Sequence, residues 1–490
     1  MMTRREIVAL AATAAHAQKS SDICFLTATE MARRIRKKDL SAREVLAAHL
    51  QQIERLNPKL NAIVTLVADQ ARERARLLDE SAARNKFLGP LHGLPIAHKD
   101  LVDTKGIRTT YGSPIFKDHV PDANTLLVDR IQAAGAVLIG KTNTPEFGAG
   151  SQTFNQVFGS TKNPWDLSKT CGGSSGGAAV SLACGMLPIA DGSDTGGSLR
   201  NPASFCSVVG FRPSPGRVPR VPSSFGWNSV SVAGPMARTA PDVALLLSAM
   251  AGPDPRAPLS IHESGSRFAR PLERDCKGLR IAWCPKLAGL PCDRRVLAVV
   301  EAQRKKLESL GCIVEDADPD FSGAEESFRV LRAHDFFLQH GDLLPKNRAL
   351  IKSTVIHELE LGARLTGPQI ATAEVQRSRL FARIGEWMRK YDFFVAPVSQ
   401  VPPFDIEKEY PTEIEGTRME NYIDWQRSCY YVTMTALPAI SVPAGFTPEG
   451  LPVGIQIVGR HQDDWGVLQM AHAFEQVSGV KDRRPPITVG

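Results

Sequence analysis

The residue types most able to do chemistry cluster in residues 171–202, where two glycine-rich segments each carry a serine. Ser174 lies in the first segment, and Ser198 lies in the second, 24 positions later. Glycine lets backbone N–H groups face a ligand without a side-chain clash, and consecutive N–H groups form a cradle for negative charge. Attack on a carbonyl carbon needs such a cradle beside an activated nucleophile. The segment therefore indicates either an anion-binding loop or a serine-based active site.

Two interpretations use the first segment alone. A phosphate-binding loop is disfavoured, because this segment contains neither a Gly-Lys-Ser/Thr run nor a GxGxxG pattern. Residues 172–176 match GxSxG, the nucleophile elbow of Ser-His-Asp α/β-hydrolases, which would make Ser174 the nucleophile of an esterase. That fold also needs an acidic residue and then a histidine downstream, and no downstream histidine has a recognisable loop context. The histidines concerned are His262, His334, His340, His357, His461 and His472.

A third interpretation uses both segments, and here the sequence resembles the amidase signature family. The similarity covers the two serine segments with the run that follows them, and the two serines have the spacing found in that family. Similar segments occur upstream, including the lysine segment with Lys99, and again near the end of the chain, so the resemblance spans about residues 25–480. The matching segments are 93–100, 142–147, 172–177, 192–200, 209–213 with 216–218, 437–443 and 451–456.

The resemblance implies a hydrolase that cleaves a carboxamide C–N bond through an acyl-enzyme. It assigns Ser198 as the nucleophile and Ser174, after a cis peptide bond, as the bridge to Lys99. Asp194 and Arg200 are expected either to brace the loops or to form an ordinary buried ion pair. The backbone N–H groups expected to form the oxyanion hole belong to Thr195, Gly196, Gly197 and Ser198.

Lys99 can act as a base only if its surroundings lower its pKa. A free lysine has a pKa of about 10.4 and is a cation at neutral pH. Burial disfavours that charge, and Lys99 follows the apolar run 94–97, which predicts a buried strand. The alternative is a surface ion pair between Lys99 and Asp100. The two serine segments favour the catalytic interpretation.

Substrate preference is less readable. By family position, Tyr111, Phe147 and Gly173 are expected to border the pocket, and the aromatic stretches 336–337 and 425–431 are further candidates. These aromatics favour an apolar or aromatic acyl or amine group, although aromatics are equally common in a core. The sequence leaves open linear amides, cyclic amides, urethanes and esters. Cys171 precedes the first loop and is expected to be a small buried residue rather than a nucleophile.

The family also contains the amidase subunit of the tRNA-dependent amidotransferase, which hydrolyses glutamine beside a partner. After residues 216–218 that subgroup tends to continue with a Ser-Arg-Tyr-Gly-like run. This chain has Pro-Arg-Val-Pro at residues 219–222 instead. Such a subunit therefore stays as an alternative to a free-standing amidase that acts on a small-molecule amide.

Composition argues against several other classes of function. The net charge of +7, from 59 basic and 52 acidic residues, is too small to indicate nucleic-acid binding, and the basic run 33–38 has a helical pattern. No apolar run is long enough to span a membrane.

The nine cysteines are scattered without a CxxC pair, so neither a metal site nor a cofactor is expected. A homodimer is left open. Dispersed thiols favour the cytoplasm, while residues 3–17 resemble a short twin-arginine export signal.

The surrounding pattern predicts an α/β fold, with a mixed β-sheet core covered by helices on both faces. A capping box at Ser41 and Glu44 begins a helix within a helical layer over residues 26–85. Short apolar runs, each expected to be a strand, then alternate with helical stretches; the runs are 94–97, 137–140, 187–190, 281–283, 393–395, 439–442 and 453–458. We expect an N-terminal extension over residues 1–25 and a single domain over 26–490. Its parts would be a catalytic core at 86–250, a surface linker at 253–275 and a helical substrate-side region at 290–390.

Overall fold

The computed structural model describes residues 22–480 and 482–489. The candidate export signal at residues 3–17 lies outside this part of the chain. Within the described residues, no helix is both long enough and apolar enough to cross a membrane.

The chain alternates between helices and strands along most of its length. The helices are α1 (Ala28–Lys37), α2 (Ala42–Leu60), α3 (Ala68–Ala83), α4 (Leu126–Ala133), α5 (Gly176–Ala183), α6 (Arg200–Cys206), α7 (Ala240–Met250), α8 (Arg294–Glu301), α9 (Arg304–Ser309), α10 (Ala324–His340), α11 (Leu344–Asn347), α12 (Ser353–Ala363), α13 (Gly367–Trp387), α14 (Arg427–Met434) and α15 (Asp464–Ser478). The strands are β1 (Ile63–Leu66), β2 (Pro95–Lys99), β3 (Val137–Thr142), β4 (Phe154–Asn155), β5 (Gly159–Ser160), β6 (Ile189–Asp194), β7 (Val209–Arg212), β8 (Val232–Ala237), β9 (Arg280–Trp283), β10 (Ile313–Asp316), β11 (Phe393–Pro397), β12 (Glu413–Ile414), β13 (Thr417–Arg418), β14 (Ala439–Phe446) and β15 (Pro452–Gly459).

Two sheets carry the fold. The large sheet has eight strands in the order β10-β9-β11-β15-β14-β7-β8-β6, and it is mixed. Its β10-β9 and β9-β11 pairs are parallel, and the remaining pairs are antiparallel. The small sheet has the order β1-β3-β2, in which β2 runs parallel to β3. Strand β6 is therefore at one edge of the large sheet.

Helices cover both faces of the large sheet. Phe393 and Val395 of β11 pack into one core cluster with residues of α7 and α15. The alternate residues Phe394 and Ala396 pack into another cluster with residues of α10, α13 and α14. Because successive side chains of a strand point to opposite faces, this division places a helical layer on each side. The predicted mixed sheet with helices on both faces is confirmed.

Several local predictions are also confirmed. Ser41 is the N-cap of α2, with both hydrogen bonds of the capping box to Glu44 present. Each apolar run expected to be a strand lies in or overlaps one of the strands above. The helical layer over residues 26–85 contains α1, α2 and α3, but it also includes β1, which sequence patterning missed. The helical stretch 290–390 likewise contains the strand β10.

One strand from each sheet ends at the candidate site. Strand β2 of the small sheet ends at Lys99, and β6 of the large sheet ends at Asp194. Helix α5 begins just after Ser174, and α6 begins two residues after Ser198. The lysine segment and both serine segments therefore converge where the edges of the two sheets meet.

Candidate active site

Lys99 is completely buried at the end of β2 and is surrounded by hydroxyl groups. Its Nζ lies 2.7 Å from Ser174 Oγ, 2.9 Å from Ser175 Oγ and 3.1 Å from Ser193 Oγ. Asp100, the alternative partner in a surface ion pair, instead accepts hydrogen bonds from the backbone and hydroxyl of Thr110. The contact between Lys99 and Ser174 is the one that a lysine-based proton relay requires.

Burial also changes the proton affinity of this lysine. Removal from water lowers the pKa of Lys99 to about 7, although Asp191 and Asp194 act against the shift. The hydroxyl groups around Nζ can accept a hydrogen bond from either protonation state, and they can donate to the neutral amine. Lys99 is therefore neutral in a large fraction of molecules at neutral pH, as a general base must be.

The first serine segment has the backbone geometry that the resemblance implies. The Gly173–Ser174 peptide bond is cis, which confirms that expectation. The N–H of Gly173 donates to Asn201 Oδ1 at 3.2 Å, so this residue ties the first segment to α6. Ser175 occupies the N-cap position of α5, but its hydroxyl makes no cap hydrogen bond and contacts Lys99 instead.

The second serine segment is held by the Asp194 carboxylate, which is completely buried. This carboxylate accepts the backbone N–H groups of Gly197, at 3.0 Å, and Leu199, at 3.2 Å. It also forms ion pairs with Arg200, at 3.0 Å, and Arg212, at 3.2 Å. Burial alone would raise the pKa of Asp194, but the two arginines hold it well below its ordinary value. Asp194 and Arg200 thus both brace the loop and form a buried ion pair.

Three of the four backbone groups expected to form an oxyanion hole are open to a ligand. In the described part of the chain, no residue accepts a hydrogen bond from the backbone N–H of Thr195, Gly196 or Ser198. The N–H of Gly197 differs from the expectation, since it already donates to Asp194. Thr195, Gly196 and Ser198 all line the same cavity, where their donors can meet a developing negative charge.

That cavity, of about 300 Å³, brings the predicted residues together. Ser174 and Ser198 both line it, and the backbone carbonyl of Ser198 accepts the N–H of Ser175 at 3.2 Å. Within residues 22–480 and 482–489, the Ser198 hydroxyl has no hydrogen-bond partner, so its oxygen is free to approach a substrate.

Part of the cavity lining is aromatic. Tyr111 and Phe147 line it as expected, and Phe147 stacks on His340 with 4.3 Å between ring centroids. Phe336 completes this group, which we call the aromatic wall: Tyr111, Phe147, Phe336 and His340. Burial lowers the pKa of His340 to about 4, so its ring is neutral at physiological pH.

Other residues expected at the pocket lie elsewhere. Gly173 is absent from the residues that line the cavity. Phe337 is 41% exposed, because it follows Phe336 on α10 and so points to a different side of the helix. Trp425 packs in the core beside Phe205 rather than on the cavity. Cys171 is buried, and burial raises the pKa of its thiol to about 12, so it is a protonated core residue.

Sequence reasoning missed several residues that hold Lys99 in place. Asp191 accepts His98 Nδ1 at 2.6 Å and the Lys99 backbone N–H at 3.4 Å, and it lies on β6. Ser193, two residues further along β6, supplies the third hydroxyl contact to Lys99. The only available signal was their position, since Asp191 directly precedes the second serine segment and Ser193 lies inside it. Their partners lie more than 90 positions away in the sequence.

The structure gives no support to a Ser-His-Asp arrangement at Ser174. The Ser174 hydroxyl contacts Lys99, and in the described residues no histidine forms a hydrogen bond with it. His340 lines the same cavity, but it belongs to the aromatic wall.

Comparison with known proteins identifies the family of this chain. The sequence profile of the Amidase family matches residues 44–468. An acylamidase from Rhodococcus erythropolis is 37% identical over 94% of this chain and 97% of its own length. A glutamyl-tRNA(Gln) amidotransferase subunit from Synechococcus sp. (strain CC9605) is 35% identical over 94% of this chain and 98% of its own length.

A solved structure shares the fold closely. A bacterial aryl acylamidase of the amidase signature family superposes with a TM-score of 0.88 at 28% identity, covering 95% of this chain and 99% of that one. The chain therefore belongs to the amidase signature family and is a hydrolase that acts on amide bonds.

Proposed function

We propose that this chain is a free-standing acylamidase that cleaves carboxamides through an acyl-enzyme on Ser198. The observation that carries the proposal is the completely buried Lys99, whose Nζ lies 2.7 Å from Ser174 Oγ at the edge of the cavity that Ser198 also lines. A lysine pKa near 7 supports its role as the base.

In the proposed reaction, Ser198 Oγ attacks the carbonyl carbon while its proton passes to Ser174 and the Ser174 proton passes to Lys99. The negative charge that develops on the carbonyl oxygen is met by the N–H groups of the Thr195–Ser198 loop. Collapse of the tetrahedral intermediate breaks the C–N bond, and the proton returns through Ser174 to the leaving amine. Water then attacks the acyl-enzyme by the same relay and releases the carboxylate.

The aromatic wall supports an apolar or aryl group on the substrate. Aromatic rings contribute a large apolar contact area, and edge-to-face or stacked packing adds to the attraction. The amidase subunit of an amidotransferase stays a second candidate, because a relative with that name is 35% identical. In that case the purified chain alone would hydrolyse aryl amides poorly.

The test is covalent labelling by a fluorophosphonate, followed by peptide mass mapping, with a parallel panel of aryl anilides, aliphatic amides and glutamine. We expect the adduct on Ser198 and hydrolysis of anilides by the purified chain alone. Ser198→Ala should lower kcat by several orders of magnitude while the protein remains folded. An adduct on Ser174 would overturn the assignment. Activity restricted to glutamine in the presence of a partner would favour the amidotransferase role.

A further inference from the structure

An arginine on the cavity has almost no partner within the protein. Arg220 lines the cavity and has one hydrogen bond to a described residue, from Nη1 to the Ser231 carbonyl at 3.5 Å. That distance is at the outer limit for a hydrogen bond. A guanidinium has five N–H donors and stays protonated in proteins, so most of this group's donors are left unused.

Three other arginines near the site, unlike Arg220, form ion pairs with carboxylates. Arg200 and Arg212 contact Asp194 within 3.2 Å, and Arg332 forms an ion pair with Glu358. In the described residues, no carboxylate lies within ion-pair distance of Arg220. Its charge therefore cannot be explained as a brace for the loops.

The electrostatic surroundings of Arg220 favour a negative ligand. Its chain neighbours on the cavity are Pro219, Val221 and Pro222, whose apolar side chains offer no hydrogen-bond acceptor. Burial lowers the pKa of Arg220, and the charge of Asp335, which lines the same cavity, acts against that shift without an ion-pair contact. The Oδ1 atom of Asp335 already accepts amide N–H groups from Asn228 and Gln339, at 2.8 and 2.7 Å.

The position of Arg220 relates it to the reacting groups. Its acceptor Ser231 also accepts a hydrogen bond, through Oγ, from Thr195 Oγ1 at 3.0 Å. Thr195 belongs to the candidate oxyanion loop, three residues before Ser198. Arg220 thus lies on the side of the cavity that borders this loop.

We propose that Arg220 binds a carboxylate carried by the substrate, so that the natural substrates are amides with an acidic group at one end. The inference rests on the proposed function, and it names the substrate class of that same site. An arginine can hold a carboxylate by two parallel N–H···O bonds, which fixes orientation as well as adding affinity. An apolar segment between the amide and the carboxylate would occupy the rest of the cavity.

The experiment compares two pairs of anilides, and the first pair consists of para-nitroanilides that differ only at the acyl end. One probe is glutaric acid mono(para-nitroanilide), and the other replaces its carboxylate with an isopropyl group. A second pair carries the carboxylate in the leaving group, as N-acyl para-aminobenzoate against the N-acyl para-toluidide. The measured quantity is the ratio of kcat/KM for the acidic probe to that for its neutral partner, with kcat and KM resolved separately.

We expect the acidic probe of at least one pair to be favoured about 10- to 100-fold in the wild type, mainly through KM, as for a hydrogen bond to a charged group. Arg220→Met should abolish that ratio, and Arg220→Lys should retain part of it, because an ammonium attracts a carboxylate without the paired geometry. Arg389→Met, at an arginine whose side chain is 77% exposed, should leave the ratio at the wild-type value.

Fluorophosphonate labelling of each variant reports whether the site remains assembled. If the Arg220→Met variant is labelled normally and its kcat/KM falls equally for both probes of a pair, Arg220 has only a structural role and the proposal fails. It fails also if the wild type prefers the neutral probe in both pairs. Absence of hydrolysis of every anilide by the wild type would instead refute the proposed function, which separates the two failures.

Discussion

Gly197 donates its backbone N–H to the Asp194 carboxylate at 3.0 Å, across the turn that leads from β6 to Ser198. The same carboxylate accepts the N–H of Leu199, so it holds the chain on both sides of the candidate nucleophile. Two of the N–H groups in this turn therefore point inward to Asp194, while those of Thr195, Gly196 and Ser198 are left for a ligand. The turn is fixed before any substrate arrives, which is what electrostatic preorganisation requires.

Asp194→Asn tests this arrangement. The amide cannot neutralise Arg200 and Arg212, so two buried cations would lose their charge partner. We expect the free energy of unfolding to fall by about 3–5 kcal/mol, as for a broken buried ion pair. Urea denaturation measures this value, and Asp69→Asn, at a carboxylate whose side chain is 98% exposed, should change it little. Unchanged stability in Asp194→Asn would contradict a bracing role.

Activity should depend on the protonation of Lys99. Because burial lowers the pKa of Lys99 to about 7, kcat/KM on an amide should rise with pH through about 7 and reach a plateau above it. Lys99→Arg should be nearly inactive across this range, since a guanidinium does not release its proton. Lys99→Ala should lower kcat/KM less on a matched ester than on the amide, because an alkoxide leaving group needs protonation less than an amine does. The pH profiles of both variants on both substrates provide the measurement. Substantial amide hydrolysis by Lys99→Arg would show that the lysine serves only as a structural cation.

The lowered pKa of Lys99 also predicts a stability effect. Between about pH 7 and 10.5 the unfolded chain binds a proton at Lys99 that the folded chain does not, so wild-type stability should rise with pH there. The unfolding free energy of Lys99→Met, measured relative to the wild type, should therefore increase as pH falls from 9 to 7, by about 1.4 kcal/mol per pH unit. Below pH 7 both states are protonated and the difference should level off. Urea titrations at several pH values test this, with Lys59→Met, at an exposed lysine, as the matched control variant. A pH-independent difference for Lys99→Met would refute the lowered pKa.

Metal removal should leave activity intact. The proposed reaction obtains its nucleophile from a serine and its base from a lysine, so it needs no ion to activate water. In the described part of the chain, no group of three or more His, Cys, Asp or Glu residues is placed to hold a metal ion. Activity on an anilide should survive dialysis against EDTA. Loss of activity that zinc or manganese restores would oppose the mechanism.

Much of the fold was predictable where the sequence pattern has a direct physical cause. Continuous apolar runs became buried strands, as at Phe393–Pro397, because both faces of the large sheet are covered. Strand β8 was missed because Gly234 and Pro235 interrupt its pattern, and β10 because its residues are half-buried or exposed at the sheet edge.

The candidate site was predictable only in part. Lys99, Ser174 and Ser198 carry a recognisable motif, and the structure brings all three to one cavity region. Asp191 carries no such signal, because its contacts with His98 and Lys99 join segments more than 90 positions apart in the chain. Two of the residues expected at the pocket, Phe337 and Trp425, could not be distinguished from core or surface aromatics without the orientation of their helices.

The site spans a joint between two separate sheets. Lys99 belongs to the small sheet, whereas Ser193 and Asp191 belong to the edge of the large one, and the His98–Asp191 contact of 2.6 Å bridges the same gap. A sliding movement of one sheet edge past the other would separate Lys99 from its hydroxyl partners while both sheets kept their own hydrogen bonds. If this joint opens before either sheet unfolds, activity on heating should be lost before the far-ultraviolet circular dichroism signal of the secondary structure.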